Sequence, residues 1–257
     1  MYRITALRYG EQTVPGPQLF WQTHWDEWRD IAFYVFLVEG EGFRALVDCG
    51  IRDPEVFNPM LRADRGERGI IRMDLARDGI VPLLGRQGLE LSDIDYVFLT
   101  HFHYDHCSNV PVFLRARYVT LASGWRRLLD YKARYPRMIA HPGYPHDVFH
   151  FLETEGRDRL ITADDNQEVV PGISVFRAAG HTVENMAVCI RTSAGRAVIP
   201  GDTIWLYENI EKEIPVGMVH DVPECYETIW RVRERADLVL PCHDPLVLER
   251  HLDGKVG

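Results

Sequence analysis

His101-Phe102-His103-Tyr104-Asp105-His106 places three imidazoles and a carboxylate within six consecutive positions. All four groups bind divalent metal ions at neutral pH. In extended backbone, residues two apart share a face, so His101 and His103 can address one point. Asp105 and His106 follow at once, and the chain must turn there to present a second pair of ligands. The plain alternative is a histidine-rich surface loop, but 11 histidines in 257 residues make such clustering by chance a poor explanation. Just upstream, Asp95-Tyr96-Val97-Phe98-Leu99-Thr100 reads as a short buried strand that delivers the chain into the hexapeptide.

The same arrangement recurs along the chain. His181 follows the apolar run Ile173-Ser174-Val175-Phe176, Asp202 follows Ala197 to Ile199, and His243 follows Asp237-Leu238-Val239-Leu240. Loops at strand ends are where a rigid scaffold displays chemistry. Taken singly, each residue has an ordinary reading as a packed histidine or a capping aspartate; their shared placement argues for one site.

Further strands are expected at Ile31 to Val38 and Phe43 to Val47, joined as a hairpin by Glu39-Gly40-Glu41-Gly42. A second hairpin joins Met186 to Ile190 and Ala197 to Ile199 around Thr192-Ser193-Ala194-Gly195. Tyr118 to Leu121 reads as a strand, with Ser123 capping a helix through Trp125, Leu128, Leu129 and Tyr131. Asp221-Val222-Pro223-Glu224 starts another helix, expected to carry Tyr226, Ile229 and Trp230 on one face. Residues 51–90 read as loops with one or two helices. Residues 134–150, with His141, His146 and His150, read as an irregular insertion whose histidines are exposed by default. Two β-rich halves that also hold helices imply a layered sandwich.

A net charge of -9 argues against a nucleic-acid surface. The longest basic cluster, in Trp125-Arg126-Arg127, is explained as a solvated helix face. Five widely spaced cysteines without a C-x-x-C pair suit reduced thiols in a cytoplasmic protein. The N-terminus Met1-Tyr2-Arg3-Ile4-Thr5 lacks the apolar run of a signal peptide, and no apolar segment approaches the length of a membrane span. A homodimer is compatible with the sequence, which is otherwise silent on oligomeric state.

The combination His101-x-His103-x-Asp105-His106, Gly180-His181-Thr182, Gly201-Asp202-Thr203 and the strand-terminal His243 resembles the metallo-β-lactamase superfamily in order and spacing. Leu46-Val47-Asp48-Cys49-Gly50 is similar to its early strand element, and the resemblance spans roughly residues 31 to 245. It implies an α/β fold, an αββα sandwich in a single domain over residues 1–257, with the metals at one edge between the sheets. It further implies that His101, His103 and His181 hold one metal, that Asp105, His106 and His243 hold a second, and that Asp202 bridges both. Seven N and O donors without thiolate fit zinc, with manganese or iron also compatible. Asp48 is a candidate acceptor for a ligand histidine N–H.

Within that superfamily the chain looks most like the N-acyl-homoserine lactonase group. The implied reaction is opening of a lactone, or cleavage of an ester-like bond in a small molecule, by a metal-bridging hydroxide. Asp105 would be both ligand and proton shuttle. Two departures stand out. Trp205 occupies the position three residues after the bridging aspartate where those lactonases often carry tyrosine, and Tyr207 is the nearest phenol that could substitute. Val183-Glu184-Asn185 stands where a Pro-Gly pair commonly follows the threonine. An amide, lactam or carbon–halogen hydrolase using the same site is therefore the alternative. A mononuclear-iron oxidoreductase or a non-catalytic binding module ranks lower, because the ligand set is complete. Substrate contacts are expected from Phe102 and Tyr104 in the hexapeptide, from Trp205, and from Trp25 in the aromatic stretch Phe20 to Trp28. Segments 11–30, 51–90 and 134–160 are expected to form the pocket.

Overall fold

The computed structural model describes residues 1–40, 42–139 and 143–257, with residues 138, 139 and 253 described by backbone alone. Among them the strands are β1 (Arg3–Pro15), β2 (Trp28–Gly40), β3 (Phe43–Val47), β4 (Tyr96–Phe98), β5 (Arg117–Leu121) and β6 (Leu160–Ala163), then β7 (Gln167–Val170), β8 (Ile173–Arg177), β9 (Met186–Thr192), β10 (Gly195–Ile199), β11 (Leu238–Val239) and β12 (Lys255–Val256). A seven-stranded sheet has the order β12-β1-β2-β3-β4-β5-β6, and a five-stranded sheet the order β11-β10-β9-β8-β7.

The near-continuous apolar run of β2 is explained by burial on both of its faces. Val35 and Leu37 lie with Leu46 and Val97 against helices, including Ile80–Gly85 and His146–Glu153. Tyr34, Phe36 and Val38 alternate with them and pack with Val175, Val188 and Ile190 of the second sheet. On the outer face of that sheet, Phe176 and Val198 meet Ile229 and Val232 of the helix Val222–Arg235. Four layers result, helix, sheet, sheet and helix, as the αββα reading requires.

Both expected hairpins form, with Gly40 paired to Phe43 and Thr192 to Gly195. Glu41 lies outside the described residues. Asp221 caps its helix by accepting from the Glu224 amide at 3.0 Å. Other details differ. Ser123 sits inside the helix Ala122–Arg134, which begins without a side-chain cap. Cys225, Thr228, Ile229 and Val232 form the buried stripe of the later helix, while Tyr226 and Trp230, four residues apart, share an adjacent face on which Trp230 is exposed; of the expected face only Ile229 lies in the buried stripe. Residues 51–90 hold three short helices, Asn58–Arg65, Leu75–Asp78 and Ile80–Gly85. Residues 134–150 include the helix Pro136–Ile139 and the start of His146–Glu153, so they are less irregular than expected. The long first strand β1 has no counterpart in the sequence-based expectation. No described helix is long and apolar enough to cross a membrane.

β3, β4 and β5 run parallel, as do β10 and β11, so several strands end at the same edge of the sandwich. Two backbone bonds tie the sheets together there: Met186 N–H to the Thr100 carbonyl at 2.8 Å, and Ala32 N–H to the His243 carbonyl at 3.0 Å.

Candidate metal centre

Every expected ligand follows the C-terminal end of a strand at that edge. His101 to His106 follow β4, His181 follows β8, Asp202 follows β10, and His243 follows β11. Glycine is required beside Asp202. Gly201 has φ +64°, and a Cβ there would meet the Asn185 amide at 2.6 Å.

The side chains converge as two groups, His101, His103, His181 and Asp202, and Asp105, His106, Asp202 and His243; within each the ligand atoms lie within 4.8 Å of one another. His103 Nδ1 stands 3.1 Å from His101 Nε2 and 2.9 Å from His181 Nε2. Asp202 Oδ2 faces this trio, 3.7 Å from His101 Nε2 and 3.6 Å from His181 Nε2. Its Oδ1 lies 3.2 Å from His106 Nε2 and 3.1 Å from His243 Nε2. Asp105 Oδ2 completes the second group at 3.2 Å from His106 Nε2. The two oxygens of Asp202 thus serve one group each.

The rings are oriented from behind. His106 Nδ1 donates to Asp48 Oδ2 at 2.7 Å, His181 Nδ1 to the Met218 carbonyl at 2.5 Å, and His243 Nδ1 to the Ala32 carbonyl at 2.9 Å. The Thr100 hydroxyl donates to Asp48 Oδ2 at 2.8 Å, which leaves its oxygen to accept from His101 Nδ1 at 3.1 Å. These bonds fix the tautomer and leave four Nε2 lone pairs pointing inward, the arrangement ligand histidines need. Asp48 holds φ +60°, an uncommon conformation for a residue with a side chain, and from it anchors both ends of the Thr100–His106 stretch that follows β4.

Electrostatics separates the two groups. Burial, reinforced by His106, keeps His101 well below the ordinary imidazole range, and burial with His181 brings His103 to about 3. Burial opposes charge on His106 as well, but Asp202, Asp105 and Asp48 outweigh it and raise that ring well above its usual value. Asp202 is likewise disfavoured as an anion by burial, yet His106, His243 and His101 hold it well below the carboxylate range.

Convergent lone pairs, together with buried His106 Nε2 and Asp202 Oδ1 atoms that make no hydrogen bond in the structure, call for cations between them. Donors about 3.3 Å apart match the edge of a tetrahedron with bonds of roughly 2.0–2.1 Å. The residues therefore fit two divalent ions, with His101, His103 and His181 on one side, Asp105, His106 and His243 on the other, and Asp202 shared.

The structure gives the expected substrate residues different surroundings. A chamber of about 290 Å³ opens onto His103, Asp105, His181, Asp202 and His243, and Trp205 is part of its wall. The Trp205 ring lies 4.8 Å from that of His243, while its Nε1 is buried without a partner among the described residues. Tyr207 is not brought to the chamber: its ring lies under the Arg250 guanidinium at 3.8 Å, in a separate hollow with Asp244. Phe102 is fully buried between Trp125 and Phe149, and Tyr104 is buried edge-on against Phe57. Trp25 is 65% exposed and stands outside the wall; His24, at φ +58°, turns inward onto Phe20 and directs its neighbour outward. His146 and His150 are exposed, and His141 lies outside the described residues.

Three contributors escaped the sequence reading. Tyr9 sits at a register shift of β1 and donates its hydroxyl to the Asp105 carbonyl at 2.7 Å. Asn185 donates to the Ala178 and Pro200 carbonyls, both at 2.9 Å, and accepts from the Asp202 amide at 3.1 Å. It thus clamps the ends of β8 and β10 around Asp202. Glu184 reaches the Phe102 amide at 3.4 Å, and burial lifts its carboxyl to about 7. The departure Val183-Glu184-Asn185 was the available signal for the last two.

Comparison with known proteins agrees with this geometry. An N-acyl homoserine lactonase of a Bacillus species is 24% identical over 191 residues, covering 74% of this chain and 70% of the relative. A probable metallo-hydrolase of Methanocaldococcus jannaschii is 24% identical over 173 residues, covering 67% and 68%. Among solved structures, a mutant of B. thuringiensis AiiA with N-decanoyl-L-homoserine at its active site superposes with a TM-score of 0.77 at 19% identity, covering 96% of this chain and 95% of that one. An N-acyl homoserine lactone hydrolase with N-hexanoyl-L-homoserine at its catalytic metal centre gives 0.76 at 19% identity, with the same coverage of both chains. Residues 34–243 match the family pattern, and the chain belongs to the metallo-β-lactamase superfamily.

Proposed function

We propose that this protein is a dinuclear metal-dependent hydrolase, with zinc as the metal of first choice, that opens a lactone or cleaves an ester-like bond in a small molecule. The observation that carries the reading is the split allegiance of Asp202, whose two oxygens face two separate ligand groups. Two ions bound there would supply hydroxide near neutral pH and polarise the substrate carbonyl. The lactonase names of the relatives, and the homoserine products in the superposed structures, support a carbonyl ester as the scissile group.

The chain's own residues define the rest. Asp105 is the more accessible of the two ligand carboxylates that line the chamber, its side chain 24% exposed against 2% for Asp202. A carboxylate so placed can take the proton of the attacking water and return it to the departing alkoxide oxygen. Ile31, Phe33, Phe57, Leu61 and Ile71 form an apolar wall that excludes water and receives the hydrocarbon part of the substrate.

Metal analysis of protein purified without chelator should give close to two ions per chain, and a single iron would move the assignment to an oxidoreductase. A panel of lactones, esters, amides and halogenated aromatics should then show turnover of the first two classes, lost in Asp105→Ala. Metal-replete protein that hydrolyses none of them would end the hydrolase reading.

A further inference from the structure

The chamber wall is apolar apart from the metal ligands and a few polar side chains, and Arg65 is the one arginine or lysine among its described residues. Arg65 closes the helix Asn58–Arg65, where a cation in the last turn is commonplace. Its neighbour in that turn, Arg62, behaves as such a residue: it is 44% exposed and paired with Glu67. Arg65 differs, with a side chain 18% exposed. Its stem lies so close to Gly69 that a Cβ there would come within 2.4 Å of the Arg65 Cβ and 2.9 Å of its Cδ. The head is aimed by Gln18, another residue of the wall, whose Oε1 accepts from Nη1 at 3.1 Å. Nε donates to Asp64, a carboxylate 70% exposed to solvent, at 3.1 Å. Nη2 makes no hydrogen bond or ion pair to any described residue.

A guanidinium held on two sides with one amino group open, in an apolar wall, is a site for an oxyanion. Low polarity strengthens the contact, and the planar fork matches a carboxylate. At -9 the protein repels anions at long range, so an acidic ligand needs a local cation to enter. We propose that Arg65, aimed by Gln18, is an anion-recognition point that binds a carboxylate carried by the substrate away from the bond being broken. Preferred substrates are then lactones or esters with a second, acidic end. The proposal rests on the hydrolase reading above, but its test does not.

The test is calorimetric binding of linear dicarboxylates, from succinate to sebacate, against monocarboxylates of equal length, using metal-loaded protein. One carboxylate can reach the metals in either ligand, so the difference reports the far end. The best-fitting dicarboxylate should bind about tenfold more tightly than its monocarboxylate partner. Arg65→Met, which keeps an unbranched stem against Gly69, should abolish that preference without changing monocarboxylate affinity. Gln18→Ala should reduce it part-way, and Arg65→Lys should retain some of it. Equal binding of both series by the unaltered protein, or an equal loss for both in Arg65→Met, overturns the proposal. If the preference is found but no ester or lactone is turned over, the hydrolase reading fails and the anion site stands.

Discussion

The metal cradle and the chamber wall meet at the same opening, yet they are built on different terms. In the cradle, each ligand follows a paired strand, and four histidine rings are bonded from behind to Asp48, Thr100 or backbone carbonyls. Much of the wall comes from turns and short helices between strands, held by single side-chain pins, with Ile31 and Phe33 added from β2. Gln12 donates to the Gly69 carbonyl at 2.7 Å, and Asn58 exchanges bonds with the Ile71 backbone at 2.8 and 3.1 Å. A change in the cradle disturbs several mutually supporting contacts, whereas a change in the wall disturbs one. The chemistry should therefore be fixed and the substrate preference adjustable.

Asp202→Ala gives the hardest test of that contrast. It removes one ligand from each group at once, so both ions should be lost together. Metal content should fall from two to below one per chain, with a loss of turnover greater than the roughly 10–100-fold expected when a supporting partner is removed. A variant that keeps one ion firmly and retains substantial activity would break the claim that the two groups act as a unit.

The same contrast decides what the sequence made legible. The hexapeptide could be read because its ligands are local: extended backbone and an immediate turn place four donors without help from the rest of the chain. His181, Asp202 and His243 were legible as strand-end residues. β1 was not, because Arg8, Glu11, Gln12 and Thr13 interrupt its apolar pattern and the register shifts at Tyr9. Nor was Asn185, whose three partners come from the separate ends of β8 and β10. The outward placement of Trp25 was not legible, because aromatic content carries no direction; the chain turns at His24 and the Trp25 ring stands exposed outside the wall.

Behind the cradle, Glu184 is buried with its Oε2 unpartnered among the described residues, and its carboxyl is raised from 4.5 to about 7. Between those values the unfolded chain has released a proton that the folded chain keeps, so stability falls as pH rises through that window and stays reduced above it. Glu184→Gln removes the penalty. At saturating metal, urea unfolding should show the variant gaining on the unaltered protein by about 3 kcal/mol between pH 4.5 and pH 8, at about 1.36 kcal/mol for each pH unit separating the folded from the unfolded value. Parallel pH profiles would show that Glu184 ionises freely in the fold.

Asp48→Asn is a smaller change within the cradle. It weakens the acceptor for His106 Nδ1 while leaving every ligand in place. Competition with a chelator should show metal affinity reduced about 10–100-fold, with little change in KM once the metals are restored by excess. A rise in KM at full metal occupancy would instead tie Asp48 to the wall.

Trp205→Phe probes the seam where the two regions touch, and its effect should be the smallest. The Trp205 carbonyl accepts from the His243 amide at 3.2 Å, a backbone contact that the substitution keeps. The indole edges onto the His243 ring and lines the chamber, but its N–H is buried without a partner among the described residues. Phenylalanine retains an aromatic face and removes an unpartnered buried donor, whose desolvation cost offsets part of the lost packing. Net stability should change by less than about 1.5 kcal/mol, as for a conservative apolar exchange. kcat/KM should change by less than about threefold, well short of the roughly 100-fold or more that follows loss of an oxyanion donor. A large fall in kcat at unchanged KM would mean that the indole turns during the reaction and donates to the substrate oxygen, which would make Trp205 part of the cradle.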